Sequence, residues 1–208
     1  MSLLTNWGYT ITESDELGSM LSEEEFNDFT AGKYTGDRRV ALNISAASMA
    51  IRNYCGWHVY PSLSCEMQAT FHDRRITRVG NDVLIQLPAR YVSEVSSVMI
   101  DDIEYTNFVK ETNGLLKVYG VSFGSIREYS KVSIEYIAGV PDELMYAITE
   151  LIAHRVVHAL ASSSGVQSET AGGVSITYSA NWINSARSTA LADDNKEVLA
   201  PYRLQGVF

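Results

Sequence analysis

Apolar and polar residues alternate between Val132 and Ala138, and the apolar spacing changes after Pro141. The apolar side of the alternation consists of Val132, Ile134, Tyr136 and Ala138. This period of two predicts a strand with one buried face. Pro141 lacks a backbone donor and suits the first turn of a helix. Apolar residues then recur at spacings of three and four, which predicts a long amphipathic helix that buries Leu144, Ile148, Leu151, Ile152, Val156 and Leu160.

A second long helix is predicted between Asp37 and Gly56. Its apolar positions are Val40, Ile44, Ala47, Ile51, Tyr54 and Cys55. Asp37 can cap the start of this helix, and Gly56 easily adopts the left-handed conformation that ends one. Ser22 followed by Glu25 fits a capping box and predicts a short helix that ends near Gly32. We expect the two long helices to pack on each other.

The residues between the two long helices form short β-like runs separated by turn residues. The runs are 58–71, 83–87, 92–100, 104–109, 115–119 and 131–138. Runs of this length and spacing are typical of a compact, mostly antiparallel β-module. The sequence therefore predicts an α+β fold, in which a small helical core of two long helices carries an inserted, mostly antiparallel β-module.

After Leu160 the sequence predicts an extension made of a strand, a short helix and a tail. Val174, Ile176 and Tyr178 alternate within one isolated strand, which needs a partner in this chain or in a neighbouring subunit. A short helix follows around 182–191. The apolar tail, 198–208, either docks on a partner or packs in its own subunit, and we expect removal of the last ten residues to weaken assembly while leaving the fold. The predicted parts are an acidic leader with a short helix (1–35), the core (36–162) and a C-terminal arm (163–208).

Charge is concentrated near the start of the chain. The acids of residues 1–32 are Glu13, Asp15, Glu16, Glu23, Glu24, Glu25 and Asp28, and no Lys or Arg accompanies them, so they supply −7 of the net charge of −9. This predicts a solvated, partly disordered leader, or a surface that repels DNA. It argues against DNA binding by bulk charge. No apolar run is long enough for a membrane span, no signal peptide is evident, and Cys55 and Cys65 are expected to be ordinary thiols in a protein made in the cytosol.

Two clusters of polar residues have the composition of chemical sites. Glu150, His154 and His158 can share a helix face as metal ligands do, but Arg155 occupies the position where a zincin helix carries its general base. The basic cluster 72–78 is predicted to be a charged loop, with a DNA or protein contact as the alternative. No nucleophile elbow, phosphate loop or dinucleotide motif is present. We therefore predict no catalytic residue, metal or cofactor, and keep a metal-dependent enzyme using Glu150, His154 and His158 as an alternative.

The order of these parts resembles the head-tail connector proteins of long-tailed bacteriophages and prophages, which are also called adaptor or head-completion proteins. The matching features are the acidic helix 22–29, the helix ending at 51–57, the segments 87–101 and 132–141 with the following helix, the segment 167–178, and the closing residues 199–203. Together they span about residues 20 to 205. The long acidic leader and the extended β-module depart from the shorter members of that family.

The resemblance implies a non-enzymatic virion protein. Its subunits would form a ring, commonly dodecameric, under the portal protein of a filled head, with a stopper or tail-completion protein as the next partner. DNA would pass through without sequence-specific binding, and the protein would be found in the neck of the virion and, during assembly, in the host cytoplasm. Another neck component, such as a stopper, is the nearest alternative. The candidate subunit or portal contacts are Val174, Ile176, Tyr178, Tyr202, Arg203, Leu204 and Phe208.

Overall fold

The computed structural model describes residues 2–14, 16–121, 129–162, 168–171, 174–177, 191 and 193–204. It confirms an α+β fold with antiparallel sheets. The α-helices are α1 (Glu23–Phe29), α2 (Arg39–Cys55), α3 (Tyr146–Ser162) and α4 (Asp193–Leu199). Short 3-10 turns occupy Thr112–Gly114, Asp142–Leu144 and Ala200–Tyr202. Within the described residues, no helix is both long enough and apolar enough to cross a membrane.

The strands form antiparallel sheets of different size. In chain order they are β1 (Leu3–Leu4), β2 (Thr10–Ile11), β3 (Leu63–Thr70), β4 (Ile76–Val79), β5 (Asp82–Gln86), β6 (Val92–Ile100), β7 (Ile103–Glu104), β8 (Phe108–Lys110), β9 (Leu115–Val118), β10 (Lys131–Ala138), β11 (Ser168–Ala171) and β12 (Val174–Thr177). A six-stranded sheet has the order β1-β2-β3-β10-β6-β7, and a four-stranded sheet has the order β4-β5-β9-β8. Strands β11 and β12 form a separate pair.

The described residues group into two compact units. The β unit comprises Met1–Leu17, Cys55–Pro141 and Tyr202–Phe208, and the helical unit comprises Gly18–Tyr54 and Asp142–Pro201. The β unit contains strands β1 to β10, and the helical unit contains α1, α3, α4 and nearly all of α2. The division into leader, core and C-terminal arm remains a prediction, as does direct packing between α2 and α3.

Strand β10 lies in the centre of the six-stranded sheet and has the predicted alternation. Its buried residues are Val132, Ile134, Tyr136 and Ala138. Ile134 faces Met67 on β3 and Val98 on β6, and all three side chains are fully buried. The strand ends at Gly139, where a Cβ atom would lie 2.4 Å from Ser62 Cα. Glycine is therefore required for the close approach of two backbones at the end of the strand.

The first described residues, 2–14, belong to the β unit. Strand β2 pairs with β3, so that Ile11 lies opposite Cys65, and both Tyr9 and Ile11 are buried. The Tyr9 hydroxyl lies 2.7 Å from His58 Nδ1 and accepts a hydrogen bond from the His58 backbone N–H at 2.9 Å. Leu3–Leu4 and Thr10–Ile11 are thus strands of a sheet, which corrects the expectation of a solvated leader for this part of the chain.

Helix α3 begins later than its apolar pattern predicts. The expected start at Pro141 is wrong, because residues Asp142–Leu144 form a 3-10 turn and the α-helix begins at Tyr146. The tighter winding of a 3-10 turn places Leu144 off the apolar stripe, and its side chain is 45% exposed. Ile148, Ile152, Val156 and Leu160 are buried as predicted, whereas Leu151 is only half-buried.

The region after α3 also differs from the prediction. The strand expected to be isolated, β12, pairs antiparallel with β11. Strand β11 has the sequence Ser-Glu-Thr-Ala, whose polar residues carry no apolar alternation. The helix expected around 182–191 lies almost entirely outside the described residues. Helix α4 was not predicted, and it places Leu199 in a fully buried position.

Candidate assembly site

The segment Tyr202–Leu204 is bound to the β unit through its backbone. Trp57 Nε1 donates to the Tyr202 carbonyl at 2.8 Å. The Leu204 N–H donates to the Cys55 carbonyl at 3.0 Å, and Arg90 Nη1 donates to the Arg203 carbonyl at 3.1 Å. Three consecutive residues of the predicted docking tail therefore have partners inside their own unit.

Aromatic rings reinforce this attachment. The Trp57 and Tyr91 rings stack with centroids 6.3 Å apart, and the Tyr91 and Tyr202 rings lie 6.1 Å apart. Burial raises the pKa of the Tyr202 phenol, and burial of the neighbouring Cys55 raises the pKa of its thiol to about 12. Trp57 and Cys55 are fully buried, whereas Tyr202 is half-buried. The backbone of Tyr202–Leu204 is thus fixed, while part of the side-chain surface of these residues faces outward.

A pocket of about 440 Å³ lies beside Leu204 within the β unit. Its apolar wall includes Trp7, Leu87, Pro88 and Leu204, and its polar wall includes Asn6, His72, Asp73, Arg74, Arg75 and Gln86. Concave pockets of this size that combine apolar surface with polar groups are typical of binding sites. This pocket is therefore a candidate binding site.

The Asp73 side chain organises the polar wall. It accepts hydrogen bonds from the backbone N–H of Arg75 at 2.9 Å and from the Arg75 guanidinium at 2.9 and 2.7 Å. These side-chain hydrogen bonds lower the pKa of the Asp73 carboxyl. A Cβ atom at Gly8, whose φ is +86°, would lie 2.7 Å from Arg75 Nη1. Arg75 is therefore held against Gly8 and its charge is balanced by Asp73.

Arg74 differs from its neighbour Arg75. Its side chain is exposed at the edge of the pocket, and in the described part of the chain no carboxylate pairs with it. The predicted charged loop therefore contains the Arg75–Asp73 ion pair, and beside it the exposed guanidinium of Arg74. The cluster also continues into strand β4, which the sequence pattern missed. Trp7 was missed as well, although a tryptophan among polar residues is an observable signal.

The solvent face of the six-stranded sheet is polar and acidic. Glu66 on β3 lies directly opposite Glu135 on β10. Ser133 Oγ and Gln68 Nε2 donate to Glu66 Oε1 at 3.0 and 2.7 Å. Like charges in directly opposed positions destabilise a sheet slightly. This face therefore has the wrong charge for binding a phosphate backbone.

The three candidate metal ligands do not form a site. His154 Nε2 lies 3.7 Å from Glu150 Oε1, and the His154 ring meets the edge of Phe29 with centroids 5.2 Å apart. Burial lowers the pKa of His158, and the charge of His154 lowers it further. Within the ranges that the structure describes, no group of three or more His, Cys, Asp or Glu side chains is placed to hold a metal ion. The metal-dependent alternative therefore gains no support.

The other candidate contacts are only partly described. Val174 and Ile176 lie on β12, opposite Ala171 and Glu169 of β11. Tyr178 and Phe208 lie outside the described residues. The structure thus brings together Tyr202, Arg203 and Leu204 of the predicted set.

Three comparisons with known proteins were informative to different degrees, and the family model alone identifies a family. No curated protein matches the sequence. One similar solved structure is a chain of the "Neck of empty GTA particle computed with C6 symmetry", with 16% sequence identity and a TM-score of 0.43, covering 88% of this chain and 97% of the other. Residues 19–203 match the family described as "HCP: Head completion protein". Because this match covers most of the sequence, the chain belongs to the head completion protein family.

Proposed function

We propose that this chain is a neck subunit of a tailed phage or phage-like particle. Copies of it form a closed ring under the portal of a filled head, and the ring joins the head to the tail. The observation that carries the proposal is the family match over residues 19–203. Head completion is a structural role, and the proposal assigns no catalytic residue, metal or cofactor.

The charge of the protein suits a channel through which DNA moves. The net charge is −9, and Glu66 and Glu135 lie on the solvent face of the six-stranded sheet. Acidic surface repels a polyanion and prevents tight, salt-dependent binding. In the proposed ring, DNA passes without sequence-specific contacts.

The partners follow from the position in the neck. The ring is proposed to be dodecameric, to bind the portal protein on one side and to bind a stopper or tail-completion protein on the other. The candidate contacts remain Val174, Ile176, Tyr178, Tyr202, Arg203, Leu204 and Phe208. Of these, Arg203 has an exposed side chain, and its backbone carbonyl accepts a hydrogen bond from Arg90. The proposed location is the virion neck, with the host cytoplasm during assembly.

An add-back experiment tests this function. DNA-filled heads are prepared from particles made without this chain, and purified chain is added before tails. The expected result is protection of the packaged DNA from nuclease and recovery of tail attachment. A matched control uses heat-denatured chain. Heads that gain neither protection nor tails would contradict the proposal, and binding only to heads that already carry an adaptor ring would assign the chain to the stopper position instead.

A further inference from the structure

The pocket beside Leu204 offers two kinds of contact to a ligand. Trp7, Leu87, Pro88 and Leu204 provide an apolar wall. Arg74 provides a cation at the edge, whereas the neighbouring Arg75 is neutralised by Asp73. A matching ligand has an apolar side chain next to a carboxylate. In a chain of net charge −9, such an available cation is a specific feature and not part of a general basic surface.

The same chain presents this combination of groups on α1. Phe29, the last residue of α1, is 46% exposed although its ring also contacts His154. The adjacent residue, Asp28, is exposed. Glu23 and Glu24, earlier on α1, are exposed too, so the helix surface is acidic around one accessible aromatic ring. An aromatic anchor with nearby charges is typical of residues that dominate protein interfaces.

We propose that the pocket of one copy binds α1 of a second copy. Phe29 of the second copy enters against Trp7 and Leu204, and Asp28 pairs with Arg74. A pocket and a different, complementary element on the same chain make a head-to-tail contact, which closes into a ring when the rotation between copies permits. This inference rests on the proposed ring function and assigns one of its lateral contacts.

The test reverses the two charges separately and together in the full chain. The variants are Arg74→Glu, Asp28→Arg and the double variant, and self-association is measured by sedimentation velocity over a range of concentrations. Each single variant is expected to weaken self-association by about tenfold, since a hydrogen-bonded charge pair contributes about that much. The double variant restores it, because each copy again presents opposite charges to its neighbour. Asp28→Arg places a cation near the end of α1, where the helix dipole favours it.

Matched controls separate the contact from a general charge effect. Arg38→Glu and Glu143→Arg change the net charge equally at exposed positions outside the pocket and α1, and are expected to leave self-association unchanged. Phe29→Ser is expected to weaken it. A wild-type chain that stays monomeric at every concentration, or a double variant no better than the single ones, would overturn the inference. If the wild type nevertheless completes heads in the add-back experiment, only this contact fails; if it does not, the proposed function fails independently.

Discussion

Strand β10 and the segments 9–11 and 202–204 all belong to the β unit. The burial of β10 can be predicted from its own sequence, whereas the burial of the two segments cannot. β10 has antiparallel neighbours on both sides and one buried face. Its alternating apolar and polar residues therefore predict which side chains are buried. Tyr9 depends on His58, and Tyr202 depends on Trp57, which lies 145 residues earlier. The comparison shows that local periodicity identifies a central strand but does not identify segments that are held by a few distant partners.

The largest expected effect is on the C-terminal segment. Deleting residues 199–208 removes the fully buried Leu199 and the hydrogen bonds made by Tyr202, Arg203 and Leu204. We expect a loss of at least about 3 kcal/mol in the free energy of unfolding, measured in urea, from the lost burial and hydrogen bonds. These contacts argue against the expectation that the deletion leaves the fold.

A shorter deletion is the control for this prediction. Removing only residues 205–208 retains every contact of Leu199, Tyr202 and Leu204 named above. We expect its unfolding midpoint to stay close to that of the full chain. Equal unfolding midpoints for the two deletions would show that the segment 199–204 does not stabilise the fold.

The central strand is tested by Ile134→Ala. The side chain is fully buried between Met67 and Val98, so its truncation is expected to cost about 2–5 kcal/mol of unfolding free energy. Glu135→Ala, on the exposed face of the same strand, is expected to stay within about 0.5 kcal/mol of wild type. Similar losses of unfolding free energy for both variants in urea would contradict the assignment of Ile134 to the buried face and Glu135 to the exposed face of β10.

A pair of buried tyrosines tests the N-terminal segment. Tyr9 bonds to His58 through its hydroxyl, whereas the Tyr136 hydroxyl has no hydrogen-bond partner among the described residues. Tyr9→Phe is expected to cost about 1–3 kcal/mol, because it leaves buried partner groups on His58 unsatisfied. Tyr136→Phe is expected to be neutral or stabilising. The two rings lie 6.4 Å apart, so a reversed order of thermal stabilities would refute the role of the Tyr9 hydroxyl.

The smallest effect is at the capping box of α1. Ser22 Oγ accepts from the Glu25 N–H, and Glu25 Oε2 accepts from the Ser22 N–H at 2.8 Å. Ser22→Ala is expected to cost about 1 kcal/mol. Hydrogen bonds from Ser22 lower the pKa of Glu25 below its usual 4.5, so this stabilisation is present above that pH and is lost as the pH falls through the lowered pKa. Chemical unfolding of wild type and variant at neutral and acidic pH measures the cost of the substitution and its dependence on pH. A stability difference that does not change with pH would show that the ionised Glu25 side chain does not contribute to the cap.

The sequence predicted what its local patterns encode. The capping box of α1, the left-handed Gly56 after α2 and the buried face of β10 are all observed. Strand β11 was missed because its residues are polar, and the pocket was missed because it joins Trp7, Arg74 and Leu204 from separate parts of the sequence. No local sequence pattern indicates that residues from separate parts of the chain lie close together. The order of elements over the whole chain was nevertheless sufficient to indicate the family.

The central claim is that the chain is a structural part of a particle neck, and imaging of purified particles tests it most directly. Cryo-electron microscopy of DNA-filled particles, combined with mass spectrometry of their proteins, would locate and count the copies. The account predicts a ring of this chain at a single vertex, between the portal and the tail. Absence of the chain from purified particles, or its distribution over the whole capsid surface, would contradict the account.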